Sequence, residues 1–81
     1  MRIEDALRRF VVEELLRGEA GARVVDDEPI VASGRIDSLG LLKLIDFVDQ
    51  RYGVDLMEVG GPDDFASIGA MATCIRLHQG A

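Results

Sequence analysis

Gly34-Arg35-Ile36-Asp37-Ser38-Leu39-Gly40-Leu41-Leu42 is the stretch where a polar turn gives way to a helix. From Gly18 to Ile36 no helical or alternating pattern is sustained. From Asp37 onward, Leu41, Leu44, Ile45, Val48 and Tyr52 fall on one stripe of a 3.6-residue period. An Asp followed by Ser at that threshold offers oxygen acceptors to the unpaired N–H groups of the first turn. The same helix end favours anions, because the aligned peptide dipoles and free N–H groups face whatever sits there. Ser38 therefore has two readings. One is a helix cap, the commoner role of such a triplet; the other is a hydroxyl placed to carry a phosphodiester. The flanking chain must decide between them.

Downstream, the helix is expected to run from Asp37 or Ser38 to about Tyr52, with Leu42 beside the apolar stripe and Lys43, Asp46, Asp49 and Gln50 facing out. Gly53 supplies its stop. Leu39 and Phe47 fall at the stripe's edge, so Leu39 either meets a partner or folds back onto the preceding loop. Gly60-Gly61-Pro62 is strong punctuation, and Pro62 followed by Asp63 and Asp64 suits the first turn of one short helix. Ser67 can cap a last helix over residues 68 to 78, in which Ile68, Met71, Ala72 and Ile75 have helical spacing. Cys74 and His78 extend the same side. Cys74 reads as a small apolar group, since no basic neighbour or second cysteine argues for a thiolate. His78 reads as a helix-end residue favourable to the dipole.

Upstream, residues 2 to 17 form the first expected helix, because Ile3, Leu7, Phe10, Val11 and Leu15 recur at offsets 0, 4, 7, 8 and 12. Glu4 and Asp5 open it and Arg17 closes it, the order that the macrodipole prefers, while Gly18 and Gly21 bracket a stop. The long connection to Ile36 needs anchors to stay ordered. The apolar pairs Val24-Val25 and Ile30-Val31, together with Ile36, can provide them. No second strand exists to pair with Val24-Val25, so no sheet is expected. The expected fold is all-α: one domain over residues 1 to 81, a small four-helix bundle of three main helices and one short one, with a long loop between helices 1 and 2.

Composition narrows the function. The 81 residues are 48% hydrophobic, enough for one modest core. No apolar run approaches the roughly 18 residues of a membrane span, and no leader pattern opens the chain, so a cytoplasmic protein away from membranes is expected. One cysteine and one histidine leave no disulfide framework and make a metal cluster improbable. A net charge of -6 repels phosphate backbones, which argues against nucleic acid, and it suits partners with basic docking patches if it does not serve solubility alone.

The assembled pattern resembles a known family. Asp37-Ser38-Leu39 opening an amphipathic helix after a long loop, in an acidic chain of this size, is similar to the acyl carrier and peptidyl carrier proteins that bear phosphopantetheine. Ile3 to Leu16 resembles the family's first helix and Ser33-Gly34-Arg35-Ile36-Asp37-Ser38-Leu39 its attachment motif. Tyr52-Gly53-Val54-Asp55-Leu56 resembles the close of its second helix, and Asp64-Phe65-Ala66-Ser67-Ile68 the step into its last. The resemblance implies that Ser38 is the attachment point for 4'-phosphopantetheine, transferred from coenzyme A by a phosphopantetheinyl transferase that uses Mg2+. Asp37 would fix the turn, and Leu39 would be an apolar docking contact. The arm's thiol would carry an acyl or aminoacyl thioester, so the domain itself would catalyse nothing and bind no metal.

The second helix is that family's recognition surface, which assigns partner contacts to Leu39, Leu42, Lys43, Asp46 and Asp49. Gly40 and Lys43 stand where fatty-acid synthesis carriers more often show acidic residues. The wording Ser-Gly-Arg-Ile-Asp-Ser-Leu-Gly-Leu-Leu is closer to stand-alone, monomeric carriers of nonribosomal peptide or polyketide biosynthesis. Such carriers are loaded by adenylating or acyltransferase enzymes and used by downstream synthase or tailoring enzymes. The competing readings are a fatty-acid synthesis acyl carrier, a helical interaction module in which Ser38 is only a cap, and a small enzyme. The last lacks a nucleophile and base in any recognisable constellation.

Overall fold

The computed structural model describes residues 2–17 and 23–79. Helix α1 (Ile3–Phe10) continues directly into a π turn (Val11–Leu15), followed by α2 (Ser38–Tyr52), α3 (Leu56–Val59), a 3-10 turn (Pro62–Phe65) and α4 (Ile68–His78). The fold is all-α, and no strand occurs among the described residues.

Helix α1 forms where its apolar period predicts. Leu7 and Val11 are fully buried, with Ile3, Phe10 and Leu15 packed partly against the same core. Its last turn departs from the α geometry expected of residues 2 to 17. The Leu16 amide donates to the Val11 carbonyl at 2.8 Å, an i-to-i+5 closure. That wider turn rotates the chain less per residue, so Leu15 stays above Val11 instead of swinging past it. The reversal expected at Gly18 begins one residue earlier, with Arg17 in the left-handed region at φ 47°. Gly18 and Gly21 lie outside the described residues.

The long loop is pinned, but by one member of each apolar pair. Val24, Ile30 and Ile36 are buried, whereas Val25 is exposed and Val31 only half-buried. Polar contacts hold the loop from both sides. Arg8 Nε donates to the Val24 carbonyl at 2.9 Å, and its guanidinium pairs with Asp5 at 2.8 Å and with the Asp26 carboxylate. The Asp26 carbonyl accepts the Gly69 amide at 2.7 Å, which ties the loop to α4 as well. Glycine at position 69 suits that approach, since a Cβ there would stand 3.1 Å from the same carbonyl, closer than ordinary contact. Further along, Arg35 pairs with Glu28 at 3.4 Å and donates to the Arg23 carbonyl, closing the turn that leads into α2.

Helix α2 buries Leu44, Ile45 and Val48 and ends at Gly53, which takes the left-handed conformation at φ 70°. After it the chain makes two short helical pieces where the sequence suggested one. The 3-10 turn at Pro62 is the expected piece, and α3 is the additional one. Its signal is Asp55, whose side chain accepts the Met57 amide at 3.0 Å and so starts a turn that drives Leu56 into the core. Residue 56 thus opens a new helix and does not close α2. In α4 the Ser67 hydroxyl accepts the Ala70 amide at 3.1 Å, as the capping pattern predicts. Ile68, Met71, Ala72, Cys74 and Ile75 face inward.

Helix α1 packs against α2 and α4, and α3 bridges α2 and α4. One charge enters this assembly. Glu4 is buried on α1 and is held by Arg76 of α4 and by Arg2 at 3.4 Å. The hydrogen bond from Arg76 and a backbone amide bring its carboxyl down to about 2, against the opposing effect of burial. No helix among the described residues is long and apolar enough to cross a membrane.

Candidate functional site

The start of α2 is built by Asp37. With φ -94° and ψ -175° it is extended, and its Oδ1 accepts the Gly40 amide at 2.7 Å, so Asp37 is the N-cap. Ser38 is then the first helical residue and has no capping duty. It is exposed, and among the described residues no group hydrogen-bonds to its hydroxyl. The amides of Ser38 and Leu39 likewise donate to no protein acceptor among the described residues, and the first turn carries no acidic side chain. An exposed hydroxyl thus stands at the positive end of a 15-residue helix beside unpaired N–H groups.

The outward face of α2 is as the sequence places it. Leu39 and Leu42 are 61% and 52% exposed, and Lys43, Asp46 and Asp49 are exposed beside them. Leu39 does not fold back onto the loop. Asp46 accepts a hydrogen bond from Gln50 at 2.8 Å one turn later.

Gly40 requires a correction. The family resemblance sets it on the recognition surface in place of an acidic residue, whereas it is buried under the cap. A Cβ there would meet Asp37 Oδ1 at 3.3 Å, Ile36 Cβ at 3.4 Å and Leu15 Cδ1 at 3.8 Å. Close packing of α2 against the loop and α1 accounts for glycine at this position. Lys43 alone remains as a charge departure on the outward face.

Two features of the site escaped the sequence. The first is a cleft of about 310 Å3 beside Asp37, Leu39 and Gly40, lined also by Glu14 of the π turn, by Arg17 just past it, by Arg35 and by Lys43 of α2. Glu14 and Arg17 are far from Lys43 in the chain, and only the packing of α1 on α2 unites them. The second is the stacking of Phe47 on Phe10, with ring centroids 4.5 Å apart and planes tilted by 31°. Phe47 is an inter-helix contact, which resolves its place at the edge of the stripe.

Elsewhere the chemistry is quiet. Burial pushes the Cys74 thiol up, with Asp64 adding to the effect, so the thiol stays neutral as its apolar reading requires. His78 Nδ1 lies 2.9 Å from the Cys74 carbonyl and 3.8 Å from Sγ, on an exposed helix end. Among the described residues no group of three His, Cys, Asp or Glu side chains is placed to hold a metal. Neither the known protein families nor the curated proteins contain a match to this chain.

Proposed function

We propose that this chain is a carrier domain that is modified on Ser38 with 4'-phosphopantetheine and presents acyl or aminoacyl thioesters to partner enzymes. One observation carries the reading. Asp37 takes the cap, which leaves the Ser38 hydroxyl exposed and unpartnered at the first position of a long helix. The site suits a phosphodiester on two counts, an accessible oxygen and unpaired amides beside it, which act against the charge of the capping Asp37 carboxylate at the same helix end. The resemblance of several ordered segments to carrier proteins supplies the identity of the group.

In the modification, the Ser38 oxygen forms a bond to the phosphorus of the pantetheine phosphate. The phosphoanhydride bond of coenzyme A breaks, 3',5'-ADP leaves, and the hydroxyl proton passes to a base on the transferase. When bound, the group supplies a flexible thiol that holds cargo as a thioester. This chain's residues do the rest. Asp37 fixes the direction of the first turn, the rigid helix presents the attachment oxygen, and Leu39 and Leu42 offer apolar contact to the transferase and the loading enzyme. Tethering raises the effective concentration of cargo at each downstream enzyme. On this reading the domain acts as a monomer in the cytoplasm, where coenzyme A is available to the transferase. The exposed Lys43 among Asp46 and Asp49 favours specialised peptide or polyketide biosynthesis over fatty-acid synthesis.

Incubation with coenzyme A, Mg2+ and a broad-specificity phosphopantetheinyl transferase, followed by intact mass measurement, tests the reading. A single phosphopantetheine adduct that disappears in Ser38→Ala is expected. No adduct on folded protein would return the chain to the class of unmodified helical interaction modules.

A further inference from the structure

The chain holds one lysine among its 9 Lys and Arg residues, and that lysine is Lys43, one turn and a half after Ser38 on the same helix. The choice matters to a thioester. A guanidinium stays protonated in water and does not attack an acyl carbon, whereas a lysine amine that has lost its proton is a nucleophile. The arginines are therefore inert towards a thioester, and the one side-chain amine of the chain stands close to the attachment serine.

Its setting is open on the side that matters. Lys43 is exposed on α2, about 7.5 Å along the axis from Ser38 at a rise of about 1.5 Å per residue. Asp46, three residues on, is bonded to Gln50, and no carboxylate pairs with Lys43 among the described residues. Lys43 lines two adjoining depressions of about 310 and 360 Å3, and Glu14 of the π turn and Arg17 just past it line both of them as well. The smaller one reaches Asp37 and Leu39, the residues on either side of Ser38.

We propose that Lys43 is an acyl acceptor: the thioester carried on the Ser38 arm passes its acyl group to the Lys43 amine, leaving an amide on the protein and a free thiol on the arm. The inference rests on the carrier reading and adds a modification site to it. In the step, the Lys43 ammonium gives one proton to Glu14 or to water. The nitrogen attacks the thioester carbonyl carbon, a C–N bond forms and the C–S bond breaks. A second nitrogen proton passes to the departing thiolate, so no further reactant is needed. Arg17 offers positive charge to the oxyanion that develops on the carbonyl oxygen. Because Ser38 and Lys43 share one helix and the extended arm is longer than the span between them, the tether holds the thioester at a high effective concentration beside the amine. Each transfer removes one cargo and marks one chain. The protein is its own substrate and does not turn over.

The test loads the full chain from octanoyl coenzyme A with a broad-specificity transferase, purifies the octanoylated protein and incubates it in mildly alkaline buffer. Neutral hydroxylamine then strips thioesters and leaves amides. An octanoyl mass that survives this treatment, maps to Lys43 by peptide mass spectrometry and is lost in Lys43→Arg is expected, and its rate of appearance should not change on dilution. Complete release of octanoyl by hydroxylamine at all times, equal retention in Lys43→Arg, or a rate proportional to protein concentration would overturn the acceptor and leave the carrier reading intact. Failure of the transferase to modify Ser38 in folded protein would remove both.

Discussion

Asp37 Oδ1 accepts the Gly40 amide at 2.7 Å and would stand 3.3 Å from any Cβ at position 40, so the cap and the glycine are one fitted unit. Asp37→Ala is expected to cost about 1 kcal/mol by losing the cap, and Asp37→Asn only a fraction of that. Gly40→Ala is the sharper test. Helix propensity alone would stabilise the protein by about 1 kcal/mol. Ile36 is buried and the Asp37 carboxylate is held by its hydrogen bond, so neither can yield cheaply. A lower denaturation midpoint is expected for Gly40→Ala, and a rise would show that the contact relaxes.

Leu44 sits fully buried at the centre of α2. Truncation to Ala is expected to cost roughly 2 to 5 kcal/mol, a large share of the stability of so small a domain. Urea denaturation would measure it. An unchanged midpoint would mean that α2 packs in a different phase.

Glu4 gives the fold an acid-sensitive contact. The hydrogen bond from Arg76 holds its carboxyl at about 2, well below the ordinary 4.5. The unfolded state therefore binds the proton more readily. The stabilisation is complete above about 4.5 and is lost as pH falls through that value towards 2. Glu4→Gln is expected to cost about 1.5 to 3 kcal/mol at neutral pH, as for a hydrogen bond to a charged group. It should also flatten the stability profile between pH 4.5 and 2, with little effect below it. Equilibrium unfolding at stepped pH would show both effects.

Leu39 is 61% exposed beside Ser38. Leu39→Glu is expected to leave thermal melting unchanged while slowing transferase modification of Ser38. Equal modification rates for variant and parent would take Leu39 out of the docking surface.

Much of this was legible in the sequence because it was periodic or local. The stripe Leu44, Ile45, Val48 located α2, and Ser67 located the start of α4, since each signal lies within one element. What was not legible depended on long-range packing. Gly40 lies one turn before Leu44 and two before Val48, so helical phase already sets it on the buried stripe; having no side chain it carried no apolar signal there, and the neighbours that cover it, Leu15 and Ile36, lie outside α2. That Arg17 and Lys43 line one cleft, and that Phe10 stacks on Phe47, likewise depended on segments far apart in the chain coming together. Helix α3 was missed for a different reason. It spans only four residues, Leu56–Val59, too few to show a period, and only Asp55 announced it. Val25 shows the converse: an apolar pair in a loop points its two side chains opposite ways, so only Val24 could be buried.

The double hold of Asp26, by its carboxylate on Arg8 and by its carbonyl on the Gly69 amide, gives the loop a built-in clock. Because the Gly69 amide is bonded to the loop and not to a helical carbonyl, its exchange with deuterated solvent requires the loop to lift from α4. The neighbouring Met71 amide, bonded to Ser67, is expected to exchange on the timescale of α4 itself. The ratio of the two rates would time loop opening separately from unfolding, using a single backbone hydrogen as the reporter.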